Sequence, residues 1–471
     1  MAQRDEILTD VLVDRLIGAG SAGLDNPCLE ATAAGNLTSA MVLTWLLRLD
    51  LQRTMDLSKP ECRLLLLQWC QNAYWHDRPR LQRMASRFTA RVNPIDSELD
   101  KPQSLRLGAN LVGYARGVLG MGEHVRMVAR AMVAASLPSG IVDFAPGLGH
   151  RLEERDQSLS WQARCDRRCN LLHVNADQMA RAYWHLGPNA FRGRYNIGYW
   201  AWELARFPAQ WRPAIGFVDE LWAPSEFIRA ALAAETTKPV VLMPLCVELP
   251  DFERLPRQDI GLSDGDFVFV FSFDCDSFIA RKNPAAIVAA FRRAFAGQER
   301  VRLVIKGMNP AAAGPKWGEL QAMAQADARI SIIGETWQRD RLLSLIAASD
   351  CYVSLHRAEG FGRGPAEAML LNKPVIVTDY SGTQDYCNAE NALLVDARLV
   401  AVGEGNYPHS ESQVWADPDL DQAARHMRTV FANHEFAQAL GRAGHGTISR
   451  RFDSVTTGKR YAERLATLGL L

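Results

Sequence analysis

Ser354-Leu-His-Arg-Ala-Glu-Gly-Phe-Gly-Arg-Gly-Pro-Ala-Glu-Ala-Met369 is the stretch on which the fold turns. An apolar run over 351–355 leads into it and an amphipathic segment over 364–371 leaves it, so the spacing predicts a strand, a glycine-rich turn and a helix, in that order. In an open α/β sheet such a junction lies at the carboxyl edge, where ligands bind. The glycines at 360, 362 and 364 let backbone N–H groups approach a ligand, and the helix start adds the positive end of its dipole. Two carboxylates, Glu359 and Glu367, flank the turn.

The same texture extends in both directions. Apolar runs at 267–271, 301–305, 330–333 and 374–377 alternate with helical segments at 316–326 and 339–348, and Asn283-Pro284 marks a further helix start. Upstream, strands are predicted at 107–114, 141–144, 171–174, 195–200, 220–223 and 240–244, with a helix at 123–135 and a Pro- and Gly-containing connector at 249–261. This alternation predicts two doubly wound, Rossmann-like α/β domains, 101–250 and 251–430. Helical stretches at 420–436 and 455–468 follow, and residues 431–471 are expected to cross back to the first domain. Before residue 100 the apolar positions Ile7, Leu8, Val11, Leu12 and Leu16, then 41–51 and 64–75, recur at helical spacing. With Asn36 and Ser58 as caps and no strand signal, 1–100 reads as a helical appendage ending near Asn93-Pro94.

Composition narrows the function. Lys plus Arg and Asp plus Glu both number 53, so no general field for nucleic acid exists and an anion must be held locally. The nine cysteines are scattered without paired spacing, which reads as reduced thiols. No signal-peptide pattern or membrane-length apolar run is present, so the expected location is cytoplasmic.

The glutamate pair Glu359 and Glu367 is followed by Asn372-Lys-Pro-Val-Ile-Val-Thr-Asp-Tyr-Ser-Gly-Thr-Gln-Asp385 and Asn391-Ala-Leu-Leu-Val395, and preceded by Phe271-Ser-Phe-Asp-Cys-Asp-Ser-Phe-Ile-Ala-Arg-Lys-Asn-Pro284. Across roughly 105–465 the chain resembles the retaining, nucleotide-sugar-dependent glycosyltransferases of family 4 with the GT-B fold, in which two such domains face a cleft. The resemblance implies that Glu367 binds the nucleotide ribose and that Glu359 faces the donor sugar. It further implies that Gly360, Phe361 and Gly362 offer backbone contacts to sugar hydroxyls, and that Arg281 and Lys282 neutralise the departing diphosphate. Arg363 and Gly364 depart from the apolar pair often found after Gly-Phe-Gly, and Arg363 is placed in the donor site with them.

Other residues admit more than one reading. Trp337, in Gly334-Glu-Thr-Trp337, would lie near the base or simply pack, and Lys306 at a strand end would supplement the diphosphate site or be solvated. Gly117-Val-Leu-Gly-Met-Gly122 resembles the family turn that faces the donor, through Gly120 and Gly122. Its G-x-x-G-x-G order is not the G-x-G-x-x-G of a dinucleotide site. His173 ends a strand and reads either as a catalytic contact to donor sugar or acceptor hydroxyl, or as a buried histidine. Trp202 and Glu203, in Tyr199-Trp-Ala-Trp-Glu203, read as an acceptor rim or as core. Asp274-Cys-Asp276 could hold Mg²⁺, but with Arg281 and Lys282 at hand no metal and no cofactor beyond the nucleotide sugar is expected. Arg126 and Arg130, beside Met127 and Met132, give a faint signal for peripheral contact with the inner face of a membrane.

The expected activity is transfer of a hexose from a nucleoside diphosphate sugar to an oligosaccharide, polysaccharide precursor or glycolipid, with retention. The alternatives are a nucleotide-sugar epimerase of the same architecture and a non-catalytic sugar-nucleotide-binding scaffold.

Overall fold

The computed structural model describes residues 105–144 and 155–471, with Leu152 and parts of 27–69. The helical spacing at 7–16, the Ser58 cap, residues 70–75 and the boundary near Asn93-Pro94 lie outside the described residues. The described part of 1–100 is not wholly helical. Strands β1 (Pro27–Thr32) and β2 (Gly35–Thr38) pair antiparallel ahead of a helix at Pro60–Trp69, and Asn36, read as a helix cap, lies in β2 opposite Glu30. Strands this short, with an irregular register, carry too little period-2 pattern to stand out from helical spacing on either side.

Two parallel sheets of six strands carry the rest of the architecture. The first contains β3 (Arg106–Gly113), β4 (Ser139–Asp143), β5 (Arg167–His173), β6 (Tyr195–Tyr199), β7 (Glu220–Ala223) and β8 (Val240–Leu242), in the order β4-β3-β5-β6-β7-β8. The second contains β9 (Phe267–Asp274), β10 (Val301–Met308), β11 (Ile330–Ile333), β12 (Cys351–Ser354), β13 (Val375–Thr378) and β14 (Leu393–Val395), in the order β11-β10-β9-β12-β13-β14. Their central strands are near-continuous apolar runs because helices cover both faces; in β9 every residue from Phe267 to Phe271 is buried.

Strand order reverses between β3 and β5 in the first sheet and between β9 and β12 in the second. At such switch points the connections diverge to opposite faces, which leaves a crevice at the carboxyl ends of the strands. The glycine-rich turn therefore sits at the first crevice edge, and the segments carrying Arg281, Lys282 and Glu359 at the second.

Some elements differ from the spacing read above. The helix after the glycine-rich turn runs Gly120–Ala134, starting before Glu123. Glycine is needed at 122 because a Cβ there would lie 2.1 Å from the Gly117 carbonyl oxygen, whereas a Cβ at 120 would meet open space. The 420–436 stretch divides into Leu420–Ala432 and His434–Arg451, with the Asn433 side chain accepting from the Phe436 N–H as the second helix's cap. Strands β15 (Ala397–Ala401) and β16 (Val414–Pro418) form a separate antiparallel hairpin for which no expectation exists. No helix among the described residues is long and apolar enough to cross a membrane.

The Ser454–Thr467 helix packs on Gly120–Ala134, and Arg464 anchors it by donating to both oxygens of the fully buried Glu220, at 2.9 and 2.5 Å. Trp222 and Tyr195 complete the carboxylate's hydrogen bonds at 2.7 and 3.2 Å. Arg464→Ala leaves a buried charge held only by neutral donors, so a loss of about 3 kcal/mol in urea-unfolding free energy is expected. The denaturant slope should be unchanged, because the surface exposed on unfolding is the same.

Candidate active site

Beyond β9 the chain makes a short turn and a one-turn helix, Ile279–Lys282, bracketed by two residues in the left-handed region, Phe278 (φ 64) and Asn283 (φ 57). A phenylalanine there costs about 1–3 kcal/mol. Three and four residues on, Arg281 and Lys282 reach the loop that follows β12. Asn283 precedes the Pro284–Ala294 helix as expected, but its side chain does not cap it. Instead its Nδ2 donates to the Leu355 carbonyl at 2.9 Å, tying the cationic turn to the end of β12.

Arg281 is buried. It donates to the Ala358 carbonyl at 2.8 Å, to Glu359 Oε2 at 3.2 Å and to the Ser277 carbonyl at 3.1 Å. Lys282 pairs with the other Glu359 oxygen. The Glu359 N–H donates to Ser381 Oγ at 2.8 Å and its carbonyl accepts from Gly382 N–H at 2.9 Å, so the 381–382 turn fixes the backbone that presents the carboxylate. Burial alone would raise the Glu359 pKa, but Lys282 and Arg281 outweigh it and hold the carboxyl at about 2. Burial also opposes the charge on Arg281, yet Glu203 and Glu359 push its pKa above the ordinary arginine value. Burial lowers the Lys282 pKa even with Glu359 beside it, which makes Arg281 the firmer charge of the two.

Gly362 stands at φ +87, and a Cβ there would also lie 2.5 Å from Thr383 Cγ2, so the turn into the Arg363–Leu370 helix requires glycine. Glu367 lies within this helix and holds different cations from Glu359: Arg339 at 2.6 Å and Arg363 at 3.1 Å. Phe361 turns its ring into the core against Tyr386 and Phe452. His356, wholly buried, lies 3.1 Å from Ser354 Oγ and 3.2 Å from the Tyr380 carbonyl. Burial holds its pKa at about 4, so at neutral pH it is an uncharged brace under the loop. Neither Arg339 nor His356 stands out in the sequence, because nothing local distinguishes them from any helix-start arginine or strand-end histidine.

The first domain closes over this loop. Ser225 caps the Glu226–Ala233 helix and donates its hydroxyl to the Gly360 carbonyl at 2.5 Å, while the Glu226 N–H donates to Asp385 Oδ2 at 2.9 Å. Glu203, from the segment after β6, lies against Gly360 and 4.0 Å from Arg281. Glu123, at the start of the Gly120–Ala134 helix, is held at about 2: burial would raise it, but Arg363 across the cleft, Arg126 and Arg130 dominate. Arg126 and Arg130, read above for peripheral membrane contact, bind Glu123 at 2.8 and 2.9 Å.

Other expected site residues lie apart from the Arg281–Glu359 cluster. His173 is wholly buried beneath the Gly120–Ala134 helix, its ring 4.9 Å from that of His124 and 5.2 Å from Tyr199, with neither nitrogen hydrogen-bonded among the described residues. Burial keeps it neutral. Trp202 is core, not an open rim: it is 2% exposed, stacks edge-on against Trp211, and donates to the Arg206 carbonyl. Trp337 lies under the Arg341 guanidinium at 4.1 Å and beside Lys306 at 5.7 Å. Lys306 is buried rather than solvated, donating to the Gly307 carbonyl. Asp274 Oδ1 accepts from Asp276 N–H and from Asn309, and among the described residues no three His, Cys, Asp or Glu side chains gather as a cation site.

Solved structures share this architecture. HepE from Anabaena, determined with UDP and glucose, superposes with a TM-score of 0.57 at 14% identity, covering 76% of this chain and 100% of that one. Sucrose-phosphate synthase from Thermosynechococcus elongatus gives 0.57 at 15% identity, over 77% of this chain and 99% of the other. A glycosyltransferase from Rickettsia africae gives 0.55 at 13% identity, over 76% and 97%. No curated protein matches the chain in sequence. The two parallel six-stranded, Rossmann-like sheets give this chain the GT-B fold of those glycosyltransferase structures. Residues 257–445, which carry the crevice of the second sheet, match the family model of the glycosyl transferases group 1.

Proposed function

We propose that the enzyme moves a hexose from a uridine diphosphate sugar to a hydroxyl of an oligosaccharide, polysaccharide precursor or glycolipid, with retention at the anomeric carbon. One observation carries the reading: Arg281 and Lys282 from beyond β9 converge on Glu359 from beyond β12, at the switch point of the second sheet. Two buried cations on one carboxylate are matched in charge and place to a diphosphate. A nucleotide that enters takes over those cations and releases Glu359 towards the sugar. Glu367 serves the ribose, Gly360, Phe361 and Gly362 the sugar through their backbone, and the Gly120–Gly122 turn faces the donor from the other domain. In this reading 101–250 binds acceptor, 251–430 binds donor, 431–471 closes back over the first domain, and 1–100 is an appendage.

The chemical task is charge. As the bond to the diphosphate breaks, negative charge grows on the leaving oxygen, and fixed cations in a water-poor site stabilise it without reorganising. No metal is needed for that step when Arg281 and Lys282 supply the countercharge. HepE was solved with UDP-glucose, which favours uridine nucleotides as the first donors to try.

The test is thermal-shift screening against UDP-, GDP- and ADP-hexoses, followed by release of nucleoside diphosphate when an acceptor extract is added. A true donor at one hundred times its Kd stabilises the fold by about 2.7 kcal/mol. A melting temperature unmoved across the panel would sink the proposal. Conversion of the sugar without loss of nucleotide would point to an epimerase.

A further inference from the structure

The β15–β16 hairpin leaves the second domain after β14, yet the loop at its tip, 402–413, crosses to the first domain. Val402, Tyr407 and Trp415 join the first domain's apolar cluster with Trp200, Trp202 and Phe207. Gln413 grips the Arg206 backbone from both sides, donating to its carbonyl at 2.6 Å and accepting from its N–H at 3.3 Å. On the other side Lys316 donates to Asn406, and the Ala416 N–H to the Arg357 carbonyl. Tyr407 stands at the crossing point. Its hydroxyl donates to Glu203 Oε2 at 2.5 Å, and its ring centroid is 5.8 Å from the Arg281 guanidinium and 4.9 Å from Phe278.

This inference rests on the glycosyltransferase reading, which sets the diphosphate against Arg281. In a front-face, retaining substitution the acceptor hydroxyl approaches beside the leaving oxygen, hence beside Arg281 and from the first-domain side. The carboxylate found there is Glu203, and the hydroxyl bound to it is that of Tyr407. We propose that Tyr407 and its loop select the acceptor: the phenol holds the acceptor hydroxyl's place on Glu203 and keeps water off the donor until an acceptor takes that hydrogen bond over. The C1–O bond to diphosphate breaks, a C1–O bond to acceptor or water forms, and the nucleophile's proton leaves on the diphosphate. Glu203 orients the nucleophile, and Tyr407 is a positioning residue. Burial next to Glu203 keeps the phenol protonated and able to donate.

The experiment uses the full chain, the nucleotide sugar giving the largest thermal shift, and no acceptor, so that water is the only nucleophile. Tyr407→Phe is expected to raise kcat for nucleoside diphosphate release about tenfold, the worth of one hydrogen bond to a charged group, with KM for the donor unchanged. Glu203→Gln in the Tyr407→Phe background is expected to return the rate to baseline. Gln413→Ala, which loosens the loop but keeps both Tyr407 and Glu203, is expected to raise hydrolysis in the same direction. Unchanged hydrolysis in Tyr407→Phe and Gln413→Ala, or a gain that moves with donor KM, overturns the proposal while leaving the donor site standing. A wild-type protein that neither shifts with any nucleotide sugar nor releases diphosphate overturns the glycosyltransferase reading and this proposal together.

Discussion

Arg281→Ala is expected to lower turnover by about two to three orders of magnitude, a loss of about 3–4 kcal/mol of transition-state stabilisation. The guanidinium is buried, permanently charged and aimed by contacts on three sides: Ser277, Ala358 and Glu359. Little of its field is screened by water, and none of its orientation has to be found during the reaction. Lys282→Ala should cost less, because burial already lowers the lysine's hold on its proton. Arg281→Lys should restore only part of the rate, since a single ammonium cannot reproduce the planar fork that spans the Ala358 carbonyl and Glu359. Steady-state nucleoside diphosphate release by folded variants measures the effect. An Arg281→Ala enzyme with wild-type kcat would place the diphosphate elsewhere.

Glu359→Gln is expected to destabilise the free enzyme by about 3 kcal/mol at neutral pH, because it strands two buried cations without their anion. The pH dependence separates this cause from ordinary packing damage. Glu359 titrates near 4.5 when unfolded and at about 2 when folded. Its contribution is therefore complete above pH 4.5 and disappears as the pH falls through about 2. The stability gap between wild type and variant, followed by urea unfolding, should stay constant above that window and close within it. A gap that stays constant down to pH 2 would mean that the carboxylate is not what the cations rely on.

Most of the second sheet is legible in the sequence because strands such as β12 and β13 are short, fully buried apolar runs between helices, whereas the β15–β16 hairpin, with β15 largely exposed, is not. The meeting of Arg281 and Lys282 with Glu359 is legible for the same reason, since each follows a strand at the sheet's carboxyl edge. Strand order is not, and it is strand order that puts β9 next to β12. The fates of His173 and Trp202 were equally closed to sequence reasoning: whether a residue at a strand end faces a crevice or a helix depends on which side is covered. His173 falls on the side covered by Gly120–Ala134, and Trp202 is sealed by Trp211 and by Tyr407. Tyr407 lies 204 positions from Glu203, and no local pattern links residues so far apart. The β1–β2 hairpin is not legible in the sequence because strands so short leave no period to find.

The return of the Ser454–Thr467 helix to the first sheet has a consequence for biosynthesis. On the ribosome the first domain emerges long before the arginine that neutralises its buried Glu220 and before Tyr461, whose hydroxyl donates to the Pro244 carbonyl. The nascent domain therefore waits with an apolar flank and an unmatched carboxylate open to water, and it locks only after the whole of the second domain has been translated.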